Sequence, residues 1–122
     1  MTLVDTSAWI HQLRPSGDAD VRGRVEALLN SGSACWCAMV RVELWNGARG
    51  DHEKNILNAY EQAIPEIDVT PEVWEEACDL ARKARAAGLT CPAPDVVIAA
   101  CARHHGCAVE SADQHLVALM AL

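Results

Sequence analysis

Pro94-Asp95-Val96-Val97-Ile98-Ala99-Ala100-Cys101-Ala102 is the stretch on which the reading of this chain turns. A proline just ahead of an acidic residue signals a helix start, and Asp95 can cap free backbone N–H groups there. Ile98, Ala99 and Ala102 stand three, four and seven residues on, so Asp95 also begins the apolar, inward stripe of its own helix. A carboxylate aimed inward is costly unless something compensates it. Asp113 repeats the spacing with Leu116, Val117 and Met120. Asp5 repeats it with Ala8 and Trp9, polar Gln12 taking the third place. Leu3-Val4 precedes Asp5, and Cys107-Ala108-Val109 comes a few residues before Asp113. The three acids therefore sit where strands give way to helices, the edge at which open α/β sheets bind ligands.

Outward from that stretch, short apolar runs alternate with helical patterns. Strands are expected at Thr2–Asp5, Ala34–Trp36 and Cys107–Val109, with a weakly marked one at Glu66–Val69. Helices are expected at Ala8–Leu13, Asp20–Asn30, Ala38–Ala48, Asp51–Ala63, Pro71–Gly88, Asp95–His104 and Asp113–Leu119. In the Ala38–Ala48 helix Glu43 falls on the stripe of Met39, Val40 and Gly47, an inward acid in mid-helix, with Gly47 leaving room for a neighbouring backbone. The alternation predicts an α/β fold: a mainly parallel sheet of four to five short strands between two layers of helices, α/β/α.

The 122 residues suffice for one domain, 1–122. A net charge of −7 argues against a general nucleic-acid coat, which would be basic, but suits a pocket that holds cations. No apolar run approaches the roughly 18 residues of a membrane span, and the start lacks a basic secretory n-region. The expected location is the cytoplasm, with six reduced cysteines acting as small hydrophobes.

With parallel strands, Asp5 and Asp113 lie along one sheet edge, and the helices bearing Glu43 and Asp95 can add theirs. Four carboxylates in one pocket must take up protons or hold a cation. Oxygen ligands suit Mg²⁺ or Mn²⁺, and the hydroxyls of Thr6 and Ser111 could orient the carboxylates or a water. Taken singly, each aspartate also reads as a helix cap and Glu43 as a core or exposed acid.

Leu3-Val4-Asp5-Thr6-Ser7, Val42-Glu43-Leu44, Pro94 to Ala102 and Ser111-Ala112-Asp113-Gln114-His115-Leu116 together resemble the PIN-domain family, and within it the VapC-type toxins. The resemblance implies a three-layer PIN fold and a metal-dependent endoribonuclease with Asp5, Glu43, Asp95 and Asp113 as its acidic site. It further implies a homodimer and a cognate antitoxin whose tail covers the active-site groove. Its mechanism would be phosphodiester hydrolysis on one or two Mg²⁺ or Mn²⁺ ions, Glu43 either completing the metal shell or taking a proton from the attacking water. Two departures stand out: Leu116 replaces the usual phenylalanine, and the sequence stops at Leu122, where relatives run on into a final strand. Rival readings are a metal-dependent phosphatase, against which Ser7 stands where a second aspartate is needed, and an inactive scaffold, against which all four acids stand. A 5′-exonuclease or DNA-directed nuclease of the same family is a further alternative.

Other residues carry weaker signals. Cys101, His104, His105 and Cys107 raise a zinc site, but buried cysteines and helix-end histidines explain them more simply. Trp9 and Trp45 flank the acids and read either as core or, the favoured alternative, as apolar anchors for a partner helix. Arg14, Arg41, Arg49, Arg82, Lys83 and Arg85 could touch RNA phosphates or merely form solvated faces. The run Leu116–Leu122 is exposed unless it packs.

Overall fold

The chain alternates short strands with longer helices, described for residues 1–122 by a computed structural model. In order it runs β1 (Thr2–Val4), α1 (Thr6–Leu13), α2 (Ala19–Asn30), β2 (Ala34–Cys35), α3 (Ala38–Asn46), α4 (Gly50–Ala63), α5 (Pro71–Ala86), α6 (Ala93–His104), β3 (Ala108–Glu110) and α7 (Gln114–Met120). The sheet order is β2-β1-β3, all parallel, with Leu3 opposite Cys35 on one side and Val109 on the other. Successive strand residues point to opposite faces. Leu3 and Val4 are both fully buried, so helices cover both faces of the central strand.

Three strands pair fully. The weak Glu66–Val69 run contributes one parallel bridge, Trp36 to Glu66, with the Ile67 N–H donating to the Trp36 carbonyl. Pro65 precedes it and Asp68 is exposed, so little in the run favours a longer ladder.

Helix α6 is the packing centre. Asp95 through Ala102 are all buried, the pattern of a helix that is apolar all round. It packs against α3, α5 and α7. Trp9, Trp36 and Tyr60 form an aromatic cluster with ring centroids 5.0–6.5 Å apart.

Several local expectations change. Trp9 is fully buried in the core and faces no partner, while Trp45 is half-buried and donates its indole N–H to Glu61. The exposed tryptophan is Trp74. Gly47 approaches no neighbouring backbone; it ends α3, its N–H bonded to the Glu43 carbonyl. At the far end Leu116 and Leu119 are buried and Val117 is exposed, so the apolar tail packs internally on one face.

Candidate functional site

Asp5 follows β1 directly and caps α1 with Oδ1, which accepts from the Ala8 N–H at 3.2 Å. Its own N–H donates to the Glu110 carbonyl at 3.0 Å, carrying the β1–β3 pairing one residue further. This is the C-terminal edge of the sheet, at the strand with neighbours on both sides, where α/β folds open a crevice. The Ser7 hydroxyl donates to Asp5 Oδ1 at 2.7 Å and the Ser111 hydroxyl to Oδ2 at 2.8 Å. Both oxygens of this 2%-exposed carboxylate are thus held by the protein. Burial raises its pKa, and the Ser7, Ser111 and Ala8 hydrogen bonds pull the other way.

Glu43, half-buried on α3, accepts from the Thr6 hydroxyl at 2.6 Å, which ties α3 to the start of α1. Asp113 caps α7 through Oδ1, accepting from the His115 N–H at 2.8 Å. The Ser111 oxygen accepts from the Asp113 N–H at 2.9 Å, so one serine positions two acids.

Asp95 behaves differently from its sequence expectation as a cap. Helix α6 starts at Ala93, Pro92 holds the N-cap place, and no side chain caps the helix. The Asp95 carboxyl accepts no hydrogen bond from the protein, yet the residue is only 9% exposed. Its pKa is pushed up to about 6, first by burial and then by the charges of Asp113, Glu43 and Asp5; His115 offsets part of this. All four sequence-predicted acids therefore act electrostatically on one place, and Thr6 and Ser111 both bind members of the set.

Two residues of the site escaped the sequence reading. Ser7 joins Asp5 to the Ala112 N–H, at 2.7 and 3.0 Å. His115 places Nδ1 3.3 Å from Asp113 Oδ1 and 3.7 Å from Asp95 Oδ2. One ligand atom from each of Asp95, Asp113 and His115 lies within 4.8 Å of the others. The signal for His115 was its place two residues after Asp113, where an aspartate cap bonds the backbone and holds that residue close.

The suggested zinc residues disperse. His104 Nδ1 pairs with Glu76, His105 Nε2 with the Asp68 carbonyl, and Cys101 lies buried beside the same carbonyl. Cys35 is buried, and its thiol is pushed up to about 12, mainly by burial and then by nearby Cys107. Among the basic candidates, Arg14 pairs with Glu53, Arg41 with Glu61 and Glu66, and Arg82 with Asp79. Arg49, Lys83 and Arg85 remain exposed without an acidic partner.

Residues 2–120 match the family model described as PIN domain. Ribonuclease VapC11 of Mycobacterium tuberculosis is 31% identical over 117 residues, which is 93% of this chain and 87% of the relative. A toxin–antitoxin complex from Klebsiella pneumoniae matches 89% of this chain and 83% of its own, with TM-score 0.72 at 19% identity. VapC20 of Mycobacterium tuberculosis, a toxin that cleaves the sarcin–ricin loop, matches 97% of this chain and 94% of its own, with TM-score 0.74 at 22% identity. At these identities the two solved structures bear on the fold, which they share with this chain.

Proposed function

The chain belongs to the PIN-domain family, and on that premise we propose that it is an endoribonuclease dependent on Mg²⁺ or Mn²⁺, the toxin half of a toxin–antitoxin pair. The charges of Asp113, Glu43 and Asp5, all felt at the buried Asp95 carboxyl, carry the reading. Relatives that bear the name ribonuclease support RNA as substrate, and the similarity to a toxin–antitoxin complex supports an antitoxin partner. We take residues 1–122 as one catalytic domain working in the cytoplasm. No helix is long and apolar enough to cross a membrane.

The residues fit a divalent cation. Asp95 has no protein donor and carries the repulsion of three neighbouring acids, the cost that a cation removes. Asp5, Asp95, Asp113 and Glu43 would hold the ion. When bound, it would acidify water and offset charge on the phosphoryl oxygens.

The chain's own groups do the rest. Ser7, Ser111 and the Ala8 N–H fix the Asp5 carboxylate before any ligand arrives, so orientation costs little at the moment of reaction. Thr6 holds Glu43 by Oε1, leaving Oε2 to complete the shell or accept a proton from the attacking water. Of the basic candidates named from the sequence, Arg49, Lys83 and Arg85 are left for RNA phosphates.

The test is cleavage of total RNA by the purified protein with Mn²⁺, with Mg²⁺ and with EDTA, followed by mapping of new 5′ ends. Discrete ends that need the ion and vanish in Asp5→Asn are expected. Cleavage undiminished in EDTA would overturn the proposal.

A further inference from the structure

His115 is the one histidine that points into the acid cluster. His104 and His105 are engaged elsewhere, and His11 Nδ1 accepts from the Asp18 N–H. The His115 backbone is pinned by the cap bond to Asp113, and the half-exposed ring turns Nδ1 back toward the two carboxylates. A bare Nδ1 lone pair would face two acceptors, so Nδ1 either carries the ring's N–H or turns its lone pair to a metal ion held between the acids.

We infer that His115 is a nitrogen ligand of the metal site, joining Asp95 and Asp113 and tilting the site from Mg²⁺ toward a first-row transition-metal ion. This rests on the metal-dependent reading above. An octahedral ion with bonds of ~2.1 Å sets adjacent ligands ~3 Å apart and opposite ones ~4 Å apart. The observed 3.3 and 3.7 Å separations are within small side-chain adjustments of that spacing. Imidazole is a softer donor than carboxylate. Mg²⁺ gains little from it, whereas affinity for nitrogen rises from Mn²⁺ to Co²⁺. A site of acids alone would show a weaker form of that preference.

Binding of Mg²⁺, Mn²⁺ and Co²⁺ is measured by calorimetry on the whole chain, for wild type, His115→Ala and His115→Gln, with circular dichroism to confirm folding. Both variants are expected to lose Co²⁺ affinity by about tenfold or more and Mn²⁺ affinity by less. Mg²⁺ affinity stays within about twofold. The visible spectrum of bound Co²⁺ changes as nitrogen leaves its shell. Equal losses for all three ions, no loss, or recovery by the glutamine variant would overturn the inference. So would tighter binding of every ion, the result if His115 is only a cation paired with the acids. A wild-type protein that takes up none of the three ions defeats the metal-dependent reading itself, a different outcome from unchanged selectivity.

Discussion

Asp95 is the residue on which site and stability pull in opposite directions. Its folded pKa of about 6 stands above the ordinary 3.8, so its contribution to stability is full below 3.8 and is lost as pH rises through 6. At neutral pH the apo protein carries a cost of about 1–3 kcal/mol from ionising this one group. Asp95→Asn is therefore expected to melt higher than wild type in EDTA at pH 7, while RNA cleavage is abolished. The gap should close near pH 4, as both side chains become neutral. Melting curves of the two proteins across that range check the sign; a variant that melts lower at pH 7 contradicts it. Ser111→Ala removes the hydroxyl that serves both Asp5 and Asp113, so metal affinity or activity is expected to fall by about 10–100-fold with the fold retained. The inward direction of Asp95 was legible from three apolar positions on its own helix. Two of its companions were not: Ser7 and His115 meet the acids across turns and between elements, and such contacts leave no period in a sequence.

At the scale of elements, periodicity found the helices well because each buries one apolar stripe, and α6 almost its whole circumference. It did less well at their ends. The expected starts, Ala8, Asp20 and Asp95, fall one or two residues inside the helices, which begin at Thr6, Ala19 and Ala93. Competing polar residues in one short stretch make such choices nearly degenerate. The fourth strand faded because a single bridge satisfies its backbone and nothing further pairs. The corner between α1 and α2 offers a test of the close packing. A Cβ built on Gly17 would lie 2.0 Å from the His11 carbonyl oxygen and within 2.8 Å of two further His11 backbone atoms. Backbone cannot move aside as a flexible side chain can. Gly17→Ala is expected to cost about 1–3 kcal/mol and lower the melting temperature by several degrees. Gly23→Ala, which meets nothing, is the control.

At the scale of the whole molecule, the surface is acidic in sum yet keeps one apolar face. Val42 is 63% and Trp74 47% exposed, and with Ala38, Met39, Val69 and Val97 they line a wholly apolar groove of about 240 Å³. A second apolar groove of about 330 Å³ shares Trp74 and Val97 and continues along α5 and α6. Large side chains exposed together are costly in a monomer and ordinary at an interface. The homodimer that the family resemblance implies would, we propose, place a second copy on this face and bury Trp74, the exposed tryptophan, as an aromatic anchor. Charge works against wrong pairings: with −7 on each copy, two chains approach best where neither carries a charge, as along this groove. Trp74→Glu sets an unpaired carboxylate in the contact from each copy and is expected to yield a monomer by light scattering where wild type is a dimer. Its circular dichroism should stay unchanged, because Trp74 packs outside the buried core. A variant that remains dimeric would move the interface elsewhere on the molecule. One in which wild type itself runs as a monomer would leave this face to the antitoxin, whose binding the same substitution should then weaken.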